Sequence, residues 1–304
     1  MMTNQTRKRM LQMLSKPERA AYLFISPALI ILLVFTVVPL LATLAISTLR
    51  LDIFLKGATF VGLEQFEKLL SDDRFWNALK NTVYFTAVEV PLQIVLSLLA
   101  AVYVAKNTRF RKLLRSAYFL PYICSFTAIG IVWSFLLDPQ TGLYPHYLHE
   151  LGLPQLEFLR DPDLAMPSIV LMSLWRNFGY TTIILVAGLQ SIPDSYYEAA
   201  ELDGAGKVKK LLHISVPMLM PALGFSFVIT TIQALQVFDP IFVTTQGGPL
   251  NRTETVVLYI YNTGFKSAPF DLGYASAVSV VLLVLVMAAT LTMNAYFNRK
   301  ESSL

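Results

Sequence analysis

Residues with the types and spacing for metal or covalent chemistry are scarce in this 304-residue chain. His146, His149 and His213 fall in predicted loops and share no spacing typical of metal ligands, so we expect them to be solvated. Cys124 is the single cysteine, and one thiol can build neither a disulfide nor a thiolate metal site. The sequence has no Gly-x-x-x-x-Gly-Lys-Ser/Thr loop for ATP phosphates and no Gly-x-Ser-x-Gly nucleophile turn. It therefore predicts no catalytic residue, no metal site and no cofactor in this chain.

Two charged residues stand out because of their surroundings. Glu89 is the only charged residue in 81–105, and Arg176 is the only one in 164–193. Both stretches are long and apolar enough to cross a membrane, where an ionisable side chain costs from about 2.5 kcal/mol upward. We therefore expect both side chains to face a helix-bundle interior or a water-filled cavity. The alternative is that each makes a packing or subunit-interface bond, or that the two bond to each other.

The elements that must hold these residues follow from composition. The chain is 55% hydrophobic and 14% charged, whereas soluble domains are about a quarter charged. A membrane-spanning helix needs roughly 20 apolar residues, and six runs of that length carry one charge or none, without the two-residue alternation of a barrel strand. The sequence predicts an all-α membrane protein with six transmembrane helices, near 22–48, 79–105, 115–137, 166–190, 217–238 and 273–297.

The first apolar run has two interpretations. Basic residues precede it, as in a signal peptide, but the run is far longer than the roughly 7–15 residues of a signal-peptide core, so we expect a retained helix. Lys and Arg concentrate in alternate loops, which places both termini in the cytoplasm and accounts for a pI near 9.0 without a nucleic-acid partner. The expected order is a basic tail at 1–20, a first helix at 21–50, an extracytoplasmic amphipathic segment at 51–78 with Leu63, Phe66, Leu69 and Leu70 at helical spacing, a membrane core at 79–297, and a cytoplasmic tail at 298–304.

The predicted cytoplasmic loop at 191–216 contains its own helix signals. Ser195 and Glu198 have capping-box spacing, Pro193 precedes them, and Gly204 can supply a left-handed stop. These signals predict a short helix at about 196–202 that lies across the inner ends of two membrane helices. Such a helix could fit a groove on a soluble partner and pass force to both membrane helices, or it could be a capped surface turn with no partner.

This loop closely resembles the cytoplasmic signature of the permeases of bacterial binding-protein-dependent ABC importers. Glu198-Ala199-Ala200, Gly204, Ile214 and Pro217 fall at the signature's spacings, and Val216 replaces the usual Leu. Further stretches are similar to the carbohydrate branch, in particular the maltose-type and glycerol-phosphate-type first permeases. They are 60–66, 74–82, 238–249 and 273–277.

The resemblance implies a type I importer permease fold and a set of partners. A second, homologous permease would complete the pathway, two ATPase subunits would use ATP and Mg²⁺, and an extracytoplasmic solute-binding protein would deliver a carbohydrate. Transport would proceed by alternating access. The residues that would couple this chain to the ATPases are Glu198, Ala199, Ala200, Asp203 and Gly204.

A sugar pathway should combine polar groups that pair with hydroxyls and apolar or aromatic walls. The candidate residues for this pathway are Glu89, Trp175, Arg176, Asn177, Tyr180, Gln233, Gln236 and Asp239, with Phe178 and Gln190 as further choices. Polar residues also hold membrane helices together, so a structural role is the competing interpretation of each.

Three other functions remain to be weighed. A permease of this family for glycerol phosphate or another small solute fits the same motifs. An ion-gradient carrier would need mid-membrane ion ligands and broken helices, yet Glu89 and Arg176 are the only deep charges and Pro91 the lone candidate break. An intramembrane enzyme lacks any recognisable catalytic pair, and we therefore place it last.

Overall fold

The computed structural model describes residues 17–54, 57–152, 154 and 156–301. Within these residues, five helices are long and apolar enough to cross a membrane, and a sharply bent helix pair supplies a sixth crossing if it counts as one span. The five are Phe24–Ile46, Asp73–Val104, Ala165–Gln190, Met220–Thr244 and Leu272–Lys300. The expectations for 1–16 and 302–304 lie outside the described residues.

The first span stands apart from the rest of the bundle. It consists of α1 (Pro17–Leu32) and α2 (Val38–Ile46), joined by a π-helical turn at Leu33–Val37. Most of its described side chains are exposed, and it packs on the last helix through α2. An exposed apolar surface of this kind matches a lipid environment, because hydrocarbon solvates apolar side chains and a helix pairs most of its backbone groups internally.

A small segment, predicted to lie outside the membrane, follows the first span. Its elements are two antiparallel strands, β1 (Leu49–Arg50) and β2 (Thr59–Phe60), and the helix α3 (Glu64–Leu70). The apolar face predicted for this segment is only partly buried. Leu69 is 3% exposed and α3 packs on the last helix, whereas Leu63 and Leu70 are largely exposed. The strands were not predicted because two residues are too few to show a two-residue period.

The second span is α4 (Asp73–Val104). Asp72 caps it, because its carboxylate accepts from the backbone N–H groups of Arg74 and Phe75. The helix begins six residues before the predicted start at 79, because the polar cap rather than the apolar run sets its first turn. Pro91 lies inside α4 without ending it, so the break considered for an ion carrier is not there.

The third predicted helix, 115–137, is wrong as a single element. The chain forms α5 (Arg109–Ile123) and α6 (Phe126–Leu136), whose axes differ by 95°. Cys124 and Ser125 between them are extended, with ψ of 145° and 136°. Pro121 contributes to the break, since it has no N–H to donate back into α5. An apolar run cannot report such a break, because both sides of it remain apolar.

The fourth span packs very closely against α5 at one glycine. After the short outer helix α7 (Leu143–Glu150), α8 (Ala165–Gln190) runs without interruption. A Cβ atom built on Gly179 would lie 1.8 Å from the backbone oxygen of Tyr118. Only glycine therefore lets α5 and α8 approach this closely, and the two helices form one packed unit.

The predicted cytoplasmic helix is present as α9 (Asp194–Leu202). The predicted capping box is absent. Pro193 occupies the N-cap position, so Ser195 already lies within the helix and its side chain makes no capping hydrogen bond. Gly204 has a φ of +73°, which confirms the left-handed stop. The chain returns to the membrane through α10 (Lys207–Lys210), a π-helical turn at Leu211–Ser215 and α11 (Val216–Met218).

The fifth predicted helix, 217–238, corresponds mainly to one long helix, and several shorter elements that were not predicted follow it. The helices are α12 (Met220–Leu235), α13 (Asp239–Thr244), α14 (Val256–Tyr261), a π-helical turn at Asn262–Lys266, and α15 (Leu272–Glu301). The chain turns at Phe238, whose φ is −138°, and Pro240 cannot donate a hydrogen bond back towards α12.

Candidate functional site

A cavity of about 320 Å³ lies where α4, α8, the α12–α13 turn and the break between α5 and α6 meet. Six of the residues predicted for a solute pathway line it: Glu89, Arg176, Asn177, Gln233, Gln236 and Asp239. The fold brings them together because one face of α8 and the polar end of α12 converge on α4. Whether these residues contact a solute stays a prediction.

Glu89 is held at the back of the cavity. Its carboxyl group is 3% exposed and accepts a hydrogen bond of 3.1 Å from Nδ2 of Asn177. One turn further along α4, Gln93 donates to Oγ1 of Thr181 at 2.9 Å. These two bonds join α4 to α8 through buried polar groups, which is the structural role that polar membrane residues often have.

Arg176 lies at the break between α5 and α6. Its Nη2 donates to the backbone oxygens of Tyr122 and Cys124, at 3.3 Å each, and its Nη1 donates to Oδ1 of Asn177 at 3.0 Å. The guanidinium carbon is 5.0 Å from the ring centre of Tyr122 and 4.1 Å from that of Phe126. Asn177 therefore bridges Arg176 and Glu89, in place of the direct bond considered from the sequence.

Two of the predicted pathway residues lie away from the cavity. Trp175 is 44% exposed and its ring contacts Trp133 at 5.9 Å, because one residue along a helix turns the side chain by about 100° from Arg176. Tyr180 stacks on Tyr122 with the ring centres 4.6 Å apart, so the Tyr122 ring lies between Tyr180 and the cavity. The further choices are also used elsewhere: Phe178 packs against Tyr118, and Gln190 donates to the backbone oxygen of Ala105.

The aromatic walls were mostly missed by sequence reasoning. Phe85, Tyr122, Phe126 and Phe238 line the cavity. Tyr122 and Phe126 face it because the chain breaks between them, and Pro121 was the signal that could have pointed to that break. Phe238 faces it because of the turn ahead of α13, which Pro240 could have indicated.

The five predicted coupling residues lie on or directly after α9. Glu198, Ala199, Asp203 and Gly204 are exposed and Ala200 is half-buried, so the helix presents one open face. The opposite side is tied to the bundle, because Tyr197 packs against a buried cluster that contains Leu185 and Leu219. This arrangement would let an occupant of the open face push on the ends of α8 and α12, and that role stays a prediction.

Two bonds hold α9 against the returning chain. The hydroxyl groups of Tyr197 and Ser215 are 2.9 Å apart, and Nζ of Lys210 is 2.5 Å from Oε1 of Glu201. The hydrogen bond and charge of Lys210 lower the pKa of the Glu201 carboxyl from its ordinary value. The loop is thus braced across its base while its outer face stays open.

Comparison with protein families identifies the chain. Residues 93–302 match the family described as binding-protein-dependent transport system inner membrane component, a range that includes the last part of α4 and all of α5 to α15. The chain belongs to this family. As a binding-protein-dependent inner membrane component, it is a membrane permease subunit, and the resemblance drawn from residues 198–217 is confirmed.

Characterised members of the family are similar along nearly their whole length. The trehalose/maltose transport system permease MalF of Thermococcus litoralis is 34% identical over 91% of this chain and 92% of its own. The sn-glycerol-3-phosphate transport system permease UgpA of Agrobacterium fabrum is 35% identical over 88% of this chain and 91% of its own.

A solved structure confirms the predicted architecture of this inner membrane component. A chain of a bacterial alginate ABC transporter, crystallised with an alginate pentasaccharide-bound periplasmic protein, superposes with a TM-score of 0.83. The match covers 94% of this chain and 96% of that one, at 23% identity. The similarity establishes the type I importer permease fold.

Proposed function

We propose that this chain is the permease subunit of an ATP-driven importer that moves a carbohydrate across the cytoplasmic membrane by alternating access. The observation that carries the proposal is the amide-lined and aromatic-lined cavity of about 320 Å³ at the centre of a permease of this family. The name of one similar permease refers to trehalose and maltose and supports a carbohydrate, whereas the name of another refers to sn-glycerol-3-phosphate.

The cavity has the groups that sugars need. Gln233, Gln236 and Asp239 offer donors and acceptors for hydroxyl groups on the α12–α13 side. Phe126 and Phe238 offer flat apolar surfaces on which the C–H face of a pyranose ring can pack. An uncharged mono- or oligosaccharide is therefore the solute that we assign to the site.

Glycerol phosphate or another small solute is the second candidate, and Arg176 is the observation that favours it, since a guanidinium is a good phosphate ligand. However, Nη2 of Arg176 already donates to two backbone carbonyls and Nη1 to Asn177. The described lining also contains the carboxyl groups of Glu89 and Asp239. A phosphate would therefore meet an engaged cation and two acidic groups, so the sugar assignment is preferred.

The energy for transport comes, in this proposal, from other subunits. Two ATPase subunits bind ATP and Mg²⁺ and dock on the open face of α9, a second homologous permease closes the pathway, and an extracytoplasmic binding protein delivers the sugar. Both termini and α9 then lie in the cytoplasm. The direct path from α9 into α8 supports this arrangement, because α8 carries Arg176 and Asn177 to the cavity.

Uptake by cells that express the full transporter tests the proposal. We expect import of labelled maltose or trehalose, weak import of sn-glycerol 3-phosphate, and loss of import when ATP is depleted. Replacing Gln233 or Gln236 with Ala should raise KM, whereas Gln140→Ala in the outer loop should leave it unchanged. Uptake that survives ATP depletion and collapses with an ionophore would instead establish an ion-gradient carrier.

A further inference from the structure

The break between α5 and α6 separates two packed units. On one side, α5 lies against α8, with Gly179 at the contact with Tyr118. On the other side, α6 packs against α13, where a Cβ atom on Gly130 would lie 2.9 Å from Cγ1 of Val243. The two units also touch directly, since the rings of Trp133 on α6 and Trp175 on α8 are 5.9 Å apart. A relative motion of the two units would therefore part this contact and bend the chain at Cys124 and Ser125.

The break also leaves backbone groups that need partners. Cys124 and Ser125 are extended, so the helical hydrogen-bond ladder is interrupted in a membrane segment, where an unsatisfied carbonyl is costly. Arg176 satisfies the oxygens of Tyr122 and Cys124 with a single nitrogen, Nη2. A cation at this position also faces the negative end of the α5 dipole.

The same side chain contacts both units across the break. Tyr122 belongs to α5 and Phe126 is the first residue of α6, and the guanidinium lies 5.0 Å and 4.1 Å from their ring centres. Through Asn177 it connects to Glu89 on α4. The bend, the cavity wall and the neighbouring span are thus joined at one residue.

We propose that Arg176 is a positioning residue that holds the α5–α6 bend closed, and that release of its carbonyl and ring contacts lets α6 and α13 swing away from α5 and α8 as the cavity changes access. This inference rests on the proposed transport function for the role of the swing, but not for the existence of the hinge. Arg176 acts through the backbone of Tyr122 and Cys124 rather than as a direct ligand of the solute.

Distances measured by paired spin labels in the full chain, held in lipid nanodiscs, test the hinge. With Cys124 replaced by Ser as the background, labels at Leu113 and Phe135 span the bend, and both positions are exposed. Labels at Leu113 and Leu171 lie within the α5–α8 unit and form the control pair. We expect Arg176→Met to broaden the first distribution and move its mean while the second is unchanged.

Variants and kinetics separate this role from the alternatives. Arg176→Lys keeps a cation but not the planar guanidinium group, so its Leu113–Phe135 distance distribution should lie between those of the wild type and Arg176→Met. If the Met variant does not fold, the Lys variant decides whether Arg176 holds the bend. For the sugar that the wild type imports, Arg176→Met should lower Vmax about tenfold and change KM less than about twofold. Arg160→Met, in the outer loop, should match the wild type in every measurement.

Two outcomes would overturn the proposal. If the Leu113–Phe135 distribution is the same in the wild type and both Arg176 variants, the residue does not hold the bend. If KM rises and Vmax is retained, Arg176 is a solute ligand instead. The distance measurement needs no transported solute, so it remains decisive even if the carbohydrate assignment fails.

Discussion

Arg74 and Glu254 form a two-armed ion pair that ties the outer end of α4 to the loop before α14. Nε of Arg74 is 2.8 Å from Oε2 of Glu254, and Nη2 is 2.7 Å from Oε1. The Glu254 side chain is 1% exposed and also accepts from Nδ2 of Asn262 at 2.7 Å. The pair joins residues that are far apart in sequence, and it holds the outer mouth of the bundle together.

Removal of Arg74 should therefore destabilise the protein strongly. We expect Arg74→Met to lower the free energy of unfolding by about 3 kcal/mol, because it leaves a buried carboxylate without its cation. Glu254→Gln should cost less, since the Arg74 side chain is 44% exposed and can be hydrated. Chemical unfolding in detergent micelles, followed by tryptophan fluorescence, measures both changes.

The control is an exposed pair on the same side of the protein. Arg50 pairs with Glu64, and their side chains are 62% and 55% exposed, so Arg50→Met should cost less than about 1 kcal/mol. Equal losses for Arg74→Met and Arg50→Met would show that burial of Glu254 adds nothing to the interaction.

Gly179 should tolerate no side chain. A methyl group there would lie 1.8 Å from the backbone oxygen of Tyr118, so Gly179→Ala should force α5 and α8 apart and lower the free energy of unfolding by about 3 kcal/mol, near the upper end for overpacking. Gly206→Ala is the matched control, because nothing lies within 4 Å and its φ is −71°. Melting temperatures in detergent compare the two, and a normal value for Gly179→Ala would contradict the close contact.

A charge reversal on α9 should uncouple the permease from its ATPases. Glu198 lies on the open face of α9, so Glu198→Lys, or deletion of Ala199, should abolish uptake or co-purification of the ATPase subunits and leave membrane insertion intact. Glu67→Lys, an exposed position on α3 at the opposite side, controls for the change in charge. Normal uptake and normal co-purification in Glu198→Lys would end the coupling assignment.

Acid stability should depend on Asp72. Partial burial tends to raise its pKa, but hydrogen bonds from the hydroxyl groups of Tyr259 and Tyr274, and from the backbone of Phe75 and Arg74, outweigh burial and lower it from the ordinary 3.8. A lowered pKa in the folded state means that the stabilisation is present at neutral pH and disappears as the pH falls below about 4.

Asp72→Asn isolates this contribution, because Asn is also a good N-cap residue but does not ionise. The wild type should be more stable than the variant at pH 6, and the difference should shrink as the pH approaches 3. Melting temperatures at a series of pH values measure it. A difference that stays constant over this range would mean that ionisation of Asp72 is not involved.

Apolar runs located most of the fold because membrane helices must be long and uncharged. The runs at 79–105, 166–190 and 273–297 lie within or close to α4, α8 and α15. The same reasoning joined α5 to α6, because a break between two apolar segments changes backbone angles without changing hydropathy. It ended the fifth helix at 238 and missed the short helix α13 that follows. Local polar signals were also misread at Ser195, because the helix begins at Asp194, two residues before the predicted start, with Pro193 as its N-cap.

The candidate cavity was predictable in part for the same physical reason. Glu89 and Arg176 were expected in the bundle interior because lipid excludes them, and both line the cavity. The partners that the structure gives to Arg176 are backbone oxygens of Tyr122 and Cys124. These oxygens can accept from Arg176 only because the helix breaks there. A pattern of side chains in the sequence does not indicate which backbone carbonyl groups lack a partner within the helix.

Because α8 is uninterrupted, it also fixes the angle about the helix axis between Arg176 and the turn into α9. Arg176 faces the cavity and Gln190, at the inner end of the same helix, is followed at once by the turn into α9. One residue inserted between them would rotate one end by about 100° relative to the other, so that the guanidinium would turn away from the break while α9 kept its place. The number of residues in this stretch, and not only their identity, is therefore part of the mechanism.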